Sequence, residues 1–190
     1  MEVAKVIQSR RTIRRFTQKA ISVEILKELI DGARLAPSAG NLQPIEYIIT
    51  VDKKICQDVF STLKWAGYIK PEWKPADTEQ PTAYIIMLTK KDTPIDPKRD
   101  VGLAAAHIIL AAEEKGIGSC ILLNVNREKL QKVLHIPQNL IVDCVIALGY
   151  KAEISVIEPM NQSCEYWRDK NNVHHVPKRS LDDIVHLNRY

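Results

Sequence analysis

Cysteine and aromatic residues are scarce in this chain of 190 residues, which has four cysteines and 6% aromatic residues. The cysteines are spaced at least 20 residues apart, without a Cys-x-x-Cys pair. This spacing argues against a disulfide scaffold or a zinc ribbon. No secretory leader is recognisable, so we expect a reduced, cytoplasmic protein. Cys120 and Cys144 lie in apolar runs and are expected to be small buried side chains.

Long hydrophobic runs and a strong net charge are also missing. The longest apolar stretch, residues 101–112, is shorter than the roughly 18 residues that cross a bilayer, so no membrane span is expected. The net charge of +4 is a small difference between 27 basic and 23 acidic residues, which gives little support for binding to nucleic acid. With 45% hydrophobic residues, the chain is expected to form one globular domain over residues 1–190.

The usual self-contained catalytic motifs are absent. The sequence contains no Gly-x-Ser-x-Gly, no His-Glu-x-x-His and no Gly-x-x-x-x-Gly-Lys-[Ser/Thr] motif. Gly116-x-Gly118 follows a helical pattern instead of opening one, which excludes a dinucleotide-binding fingerprint. His174 and His175 are adjacent and lack an acidic or cysteine partner at ligand spacing, so a satisfied or exposed histidine pair is favoured over a metal site.

Apolar periodicity predicts an α+β structure in which several helices pack on a small sheet. Helices are predicted over residues 1–8, 22–36, 52–63, 99–115 and 126–134, with a short one at 181–185, and strands over residues 45–51, 83–89, 119–123 and 141–148. Ser22, Asp52 and Asn126 are the expected N-caps of their helices, and a C-cap glycine is expected at Gly116. The tail after Tyr150 is expected to be irregular up to residue 181. The strands at 83–89 and 141–148 are almost entirely apolar, with Asp143 as the one charged residue, and should be buried on both faces. Residues 65–81 are proline-rich and irregular, which suggests a lid over a site. The helix at 99–115 is rich in small residues and lies either in the core or in a dimer interface.

A basic segment near the start carries Arg10, Thr12 and Arg14 at alternate positions. In an extended conformation these side chains project from one face, while Ile13 and Phe16 can be buried. Guanidinium groups and a hydroxyl together suit a phosphate monoester. A second basic pair, Lys178-Arg179, could converge on the same phosphate. A solvated basic turn explains the first cluster equally well, and a nucleic-acid patch is a weaker alternative because no stacking aromatic residue except Phe16 accompanies the arginines.

The loop from Pro37 to Pro44 is dense in amide and hydroxyl groups and is bounded by prolines. Asn41 and Gln43 each present a hydrogen-bond donor beside an acceptor, which is the chemistry needed to read the edge of a uracil-like ring. An ordinary turn that satisfies its own backbone groups is the competing interpretation.

Five segments in this order resemble the nitroreductase family of FMN enzymes, and the resemblance spans nearly the whole chain. They are Arg10-Arg11-Thr12-Ile13-Arg14-Arg15-Phe16, Ala36-Pro37-Ser38-Ala39-Gly40-Asn41-Leu42-Gln43-Pro44, Asp100 through Gly118, Ala147-Leu148-Gly149-Tyr150 and Pro177-Lys178-Arg179-Ser180-Leu181. The resemblance implies a nitroreductase-like fold with a small, mainly antiparallel sheet. It also implies an intertwined homodimer with two FMN sites built from both subunits.

The resemblance also implies roles for individual residues. Phosphate and ribityl groups would be held by Arg10, Arg11, Thr12, Lys178 and Arg179, and Arg14 would lie toward the N1 and O2 edge of the flavin. The flavin would be lined by Pro37, Ser38, Asn41 and Gln43, partly from the other subunit. Backbone groups of Leu122, Leu123 and Asn124 would lie near flavin N5.

The activity implied is hydride transfer from NADH or NADPH through bound FMN to a nitroaromatic, a quinone or a similar small molecule, with ping-pong kinetics. The flavin would do the chemistry, which agrees with the lack of a catalytic acid, base or nucleophile in the sequence. A flavin-binding protein for storage or sensing, without turnover, is the alternative.

Overall fold

The computed structural model describes residues 2–69 and 73–190. The helices are α1 (Val3–Ser9), α2 (Val23–Arg34), α3 (Lys53–Phe60), α4 (Lys98–Glu114) and α5 (Arg127–Val133). The strands are β1 (Ile45–Thr50), β2 (Ala83–Lys90), β3 (Ile117–Leu122), β4 (Leu140–Tyr150), β5 (Ser155–Pro159), β6 (Trp167–Arg168) and β7 (His174–Lys178). Short 3₁₀ turns occur at Ala39–Asn41 and Asp77–Glu79.

Three helices begin at the capping residues that the sequence predicts. The side chains of Ser22, Asp52 and Asn126 each accept a hydrogen bond from the backbone N–H three residues later. These bonds satisfy donors that the first turn of a helix leaves unpaired. At the other end of α4, Gly116 adopts a φ of 72°, the left-handed conformation expected of a residue that follows a helix.

The main sheet has four antiparallel strands in the order β1-β2-β4-β3. One face packs against α2 and α4, and the other face packs against α3, α5 and Phe16. Because helices cover both faces, seven of the eight residues of β2 are buried, as their continuous apolar run predicts. The α+β class and the mainly antiparallel sheet flanked by helices are therefore confirmed.

The basic segment forms an extended arm, residues 10–16, along the sheet. The backbone N–H of Ile13 donates to the carbonyl of Ser119 on β3 at 2.9 Å, and the side chains of Ile13 and Phe16 are buried. Two paired glycines make this approach possible. A Cβ on Gly118 would lie 2.9 Å from the Ile13 Cβ, and a Cβ on Gly149 would lie 2.8 Å from the Phe16 Cβ. A larger residue at either glycine would therefore displace the arm.

The expectation of an irregular tail after Tyr150 is wrong, because β5, β7 and β6 form a second sheet in that order. β5 pairs with β7 in parallel, from Ser155 opposite His174 to Pro159 opposite Lys178. These strands are short and mixed in polarity, and pairing with distant residues specifies them more than their own sequence does. The short helix predicted at Leu181–Val185 is also wrong. A single turn forms there, and its apolar side chains are exposed, so nothing stabilises a longer helix.

The proline-rich segment over residues 65–81 is packed at its start. The Trp65 side chain is buried against the Phe60 ring, with the ring centroids 5.6 Å apart. Further along, the Trp73 ring lies beneath the guanidinium groups of Arg15 and Arg168. Residues 70–72 lie outside the described part of the chain, and the role of the segment as a lid remains a prediction. Of the helices in the described residues, none combines the length and apolarity that a bilayer span requires.

Candidate functional site

The polar side chains of the arm are partly accessible. Arg10, Thr12 and Arg14 are half-buried, whereas Ile13 is buried behind them. Arg11 folds back onto the chain and donates to the carbonyls of Gln8 and Arg10. Burial and the neighbouring Arg10 cation lower the pKa of Arg11. The Arg11 guanidinium is therefore engaged locally.

The carboxylate of Glu113, in the last turn of α4, fixes the start of the arm. Glu113 is buried and accepts hydrogen bonds from the Ser9 hydroxyl at 3.0 Å and the Lys151 ammonium at 2.7 Å. Because Ser9 directly precedes Arg10, these bonds place the first arginine of the arm beside the C-terminal end of α4. No pattern in the sequence pointed to Glu113.

Arg14 lies against the second sheet instead of projecting freely from the arm. Its Nη1 donates to Nε2 of His174 at 3.0 Å, and its Cζ lies 4.4 Å from the centroid of the Tyr166 ring. The carboxylate of Glu153 accepts hydrogen bonds from the backbone N–H groups of Arg14 and Arg15. The sequence analysis found Arg14 but missed these partners, because they lie about 140 to 160 residues further along the chain.

The two adjacent histidines of β7 point to opposite sides of the strand. His174 is fully buried, whereas Nδ1 of His175 lies 2.7 Å from the Glu158 carboxylate. Burial, followed by the positive charges of Arg14, Arg168 and His175, lowers the pKa of His174 from 6.5 to about 4. At neutral pH His174 is therefore an uncharged imidazole.

This lowered pKa predicts a loss of stability in acid. Between pH 6.5 and pH 4 the unfolded chain takes a proton on His174 and the folded chain does not, so the stabilisation is complete above pH 6.5 and falls toward pH 4. The full loss is about 3 kcal/mol. Urea unfolding of the wild type and of His174→Gln across this range measures it. The wild type should lose about 3 kcal/mol more than the variant, and parallel profiles would contradict the assignment.

The loop from Pro37 to Pro44 is fixed to the first turn of α4. Asp100 is buried and accepts hydrogen bonds from the Ser38 hydroxyl at 2.7 Å and from the Ala39 N–H at 3.2 Å. The Ser38 oxygen in turn accepts from the Gln43 N–H at 3.0 Å. The Ser38 hydroxyl is therefore engaged within the loop, and Asp100, which the sequence analysis quoted only as part of a motif, holds the loop in place.

The tip of this loop has an unusual backbone. Gly40, Asn41 and Gln43 have φ angles of 56°, 54° and 48°, and Asn41 and Gln43 are exposed. Left-handed conformations at residues other than glycine cost free energy and are retained where the surroundings enforce them. Beside the loop lies a cavity of about 160 Å³ lined by Pro37, Ser38, Gln43 and other residues of α2, β1 and α4. The Asp100 contacts thus hold a loop that contributes Gln43 to the lining of the cavity.

Removing the Asp100 carboxylate should destabilise the protein. Asp100→Ala leaves the Ser38 hydroxyl and the Ala39 N–H without their buried acceptor, so the free energy of unfolding should fall by about 3 kcal/mol. Asp96→Ala is the matched control, because Asp96 is exposed and accepts one bond from the Lys98 N–H. Its loss should stay below about 1 kcal/mol in the same urea titration. Equal losses in both variants would show that the loop does not depend on Asp100.

The remaining predicted residues lie at the ends of strands. Leu122 closes β3 with its side chain in the core, and Leu123 and Asn124 follow it exposed to solvent. The Leu123 and Asn124 carbonyls accept from the N–H groups of Val125 and Lys64, so a ligand at this turn would have to be met by N–H groups.

Of the second basic pair, Lys178 ends β7, and its carbonyl accepts from the Met160 N–H at 2.8 Å. The next residue, Arg179, is exposed, and its guanidinium donates to the Asp183 carbonyl. The second sheet brings β7 against the arm through His174 and Arg14. The contact between His174 and Arg14 therefore joins the C-terminal part of the chain to the arm, four residues before Lys178.

Two groups of the predicted residues, those on the arm and those on the Pro37–Pro44 loop, lie at opposite ends of α4. The arm starts beside Glu113, and the Pro37–Pro44 loop is held by Asp100, about 20 Å away along the helix. One chain therefore does not bring the two groups together. Between them, α1 and the outer face of α4 form an apolar groove of about 400 Å³, lined mainly by Val3, Val6, Leu103, Ala106, His107 and Leu110.

Comparison with known proteins identifies relatives of this arrangement. The model of the Nitroreductase family matches residues 7–150. A protein of Archaeoglobus fulgidus with the provisional name NADH dehydrogenase/NAD(P)H nitroreductase is 32% identical over 163 residues, covering 78% of this chain and 85% of the relative. The crystal structure of a nitroreductase family protein from Clostridium novyi NT superposes with a TM-score of 0.69 at 29% identity, covering 80% of this chain and 87% of that one. An FMN-dependent nitroreductase from Clostridium difficile R20291 shares the fold at 22% identity and a TM-score of 0.71, covering 97% of this chain and 98% of that one.

Proposed function

Because the chain belongs to the nitroreductase family, we propose that it is an FMN-dependent oxidoreductase that passes hydride from NADH or NADPH to an oxidised small molecule such as a nitroaromatic or a quinone. The observation that carries the proposal is the half-buried Arg14 guanidinium, which is fixed by His174 and Tyr166. The names of the relatives from Archaeoglobus fulgidus and Clostridium difficile support the cofactor and the electron donor.

The donor set of the arm fits FMN. Arg10 and Thr12 are half-buried on the same arm as Arg14, and Lys178 and Arg179 follow on from His174, which contacts Arg14. Guanidinium, ammonium and hydroxyl groups are donors that a phosphate monoester and a ribityl chain require. We assign Arg10, Arg11, Thr12, Lys178 and Arg179 to the phosphate and ribityl groups, with Arg11 contributing only if its local hydrogen bonds open.

The separation of the two groups along α4 supports a homodimer. Two copies packed antiparallel along this helix would set the arm of one beside the Pro37–Pro44 loop of the other, at both ends of the helix pair. The apolar groove on α1 and α4 supplies a surface for such packing, and Leu103 is 43% exposed there. Pro37, Ser38, Asn41 and Gln43 would then line a flavin whose phosphate is held by the other subunit.

Each remaining element has a role in the proposed site. When bound, FMN would supply the hydride chemistry between NADH or NADPH and the second substrate, with ping-pong kinetics. Arg14 offers a fixed positive charge to the N1 and O2 edge of the flavin ring. The turn formed by Leu122, Leu123 and Asn124 offers backbone N–H groups toward N5. Asn41 and Gln43 offer paired donors and acceptors to the pyrimidine edge.

A cofactor-binding and turnover test separates this proposal from a flavin storage or sensing protein. The purified protein should be yellow or become yellow with added FMN, bleach with NADH or NADPH under nitrogen, and recover its colour with a quinone or nitroarene. A yellow protein that neither nucleotide bleaches would support storage or sensing. A colourless protein that does not bind FMN in titration would refute both.

A further inference from the structure

The contact between the arm and β7 has an electrostatic consequence for the proposed cofactor site. We propose that His174 is a positioning residue, whose neutral imidazole fixes the Arg14 guanidinium without cancelling its positive charge, so that bound FMN meets a preoriented cation. This inference rests on the proposed function and goes further by assigning a residue that acts through Arg14.

The geometry determines which atom of His174 carries the proton. A guanidinium group only donates hydrogen bonds, so the His174 Nε2 that lies 3.0 Å from the Arg14 Nη1 must accept. The imidazole proton is therefore on Nδ1. Tyr166 covers the guanidinium from the side, and the edge of Tyr68 supports Tyr166, with ring centroids 5.1 Å apart. The guanidinium is thus held both by a hydrogen bond and by an aromatic ring.

The nearby carboxylate is directed away from the guanidinium of Arg14. Glu153 accepts from the backbone N–H groups of Arg14 and Arg15 and forms a buried ion pair with Arg168. Within residues 2–69 and 73–190, no carboxylate oxygen lies within 4.0 Å of the Arg14 guanidinium. The charge of Arg168 is therefore compensated, and that of Arg14 remains available to an anion.

The surroundings of His174 keep it neutral. Arg14 faces it from the arm and Arg168 from β6, and His175 is its neighbour on β7. The Glu158 carboxylate that could favour a charged histidine pairs with His175 instead. Burial and the positive neighbours lower the pKa of His174, so the ring accepts a hydrogen bond throughout the neutral range. A carboxylate at this position would also hold Arg14 but would neutralise it.

Nuclear magnetic resonance of the protein without cofactor tests the hydrogen bond itself. Long-range ¹H–¹⁵N spectra of histidine side chains distinguish a protonated from an unprotonated ring nitrogen. His174 should show a proton on Nδ1 and none on Nε2 at pH 7, and should stay in this form at pH 5.5. A proton on Nε2, or a doubly protonated ring at pH 7, would overturn the inference, since either form cannot accept from Arg14.

Two substitutions test the effect on the cofactor. His174→Gln retains a neutral acceptor, and His174→Leu removes the acceptor while keeping an apolar side chain in the buried position. His174→Leu should bind FMN about tenfold more weakly, the size expected for the loss of one hydrogen bond to a charged group, and should lower the midpoint potential of the bound flavin. His174→Gln should remain close to the wild type in both measurements. His175→Gln is the matched control, because His175 contacts Glu158 and not Arg14.

The outcomes separate this inference from the proposed function. A wild type that binds no FMN refutes the proposed function, and the spectra still decide whether His174 accepts from Arg14. If the wild type binds FMN and His174→Leu matches it in affinity and potential, only the positioning role is refuted. If His174→Leu does not fold, the histidine spectra and the midpoint potential of His174→Gln test the inference. A His174→Gln potential that falls as far as that of Arg14→Ala would overturn the role of the neutral acceptor.

Discussion

Arg14→Ala is expected to slow the reduction of bound FMN by NADH or NADPH about 100-fold, the size seen when one preorganised donor to a developing negative charge is removed. The variant should also have a lower flavin midpoint potential. Phosphate anchoring should remain largely intact, because it is assigned to other residues, among them Arg10 and Thr12 on the same arm. Stopped-flow absorbance of the anaerobic protein measures the rate.

Two controls accompany this variant. Arg14→Lys keeps a positive charge but loses the planar group that lies over Tyr166, so it should lie between the wild type and the alanine variant. Lys27→Ala removes one charge from the exposed side of α2 and should leave the rate unchanged. Unchanged reduction kinetics in Arg14→Ala would refute the role assigned to Arg14.

Ala106→Arg is expected to yield monomers that bind FMN at least about 100-fold more weakly than the wild type. This factor corresponds to a loss of about 3 kcal/mol of binding free energy. Ala106 lies in the apolar groove on α1 and α4, where a guanidinium would enter the contact surface of the proposed dimer and lose its hydration. The monomer would keep its arm and lose the partner's Pro37–Pro44 loop. Analytical ultracentrifugation followed by fluorescence titration with FMN measures both effects.

The matched control for this substitution is Gln57→Arg on α3. Gln57 is exposed, and α3 packs on the opposite face of the main sheet from α4. The control should remain a dimer and bind FMN normally. A wild type that is monomeric yet binds FMN tightly would show that the flavin site is complete in one chain and would refute the dimer.

Local sequence specified much of the fold. The caps at Ser22, Asp52 and Asn126 and the left-handed Gly116 were all predictable, because capping depends on a side chain and a backbone group three or four residues apart. The largely apolar runs of β2 and β4 likewise predicted strands covered on both faces. These signals depend only on residues close together in the sequence, so they can be interpreted without knowledge of the tertiary structure.

The second sheet was not predictable in the same way. β5, β6 and β7 are short, and apolar and polar residues alternate little along them. Their local sequences therefore do not favour strands over irregular structure. Their stability comes from pairing between segments 19 residues apart, Ser155 with His174, and from contacts to the arm at the other end of the chain. The helix predicted at Leu181–Val185 does not form for a different reason. Its apolar residues have helical spacing but stay exposed, so packing within the described part of the chain does not stabilise the helix.

The sequence by itself determined the chemical inventory of the candidate site, namely an arm of arginines with a hydroxyl, a loop of amides and a C-terminal basic pair. Only the tertiary structure decided how these groups are used. In the folded chain the Ser38 hydroxyl donates to Asp100, the arm and the loop lie at opposite ends of α4, and Arg14 has a neutral partner in His174. The physical reason is that the type of a side chain fixes what it can donate or accept, whereas its partner depends on packing between residues far apart in the chain.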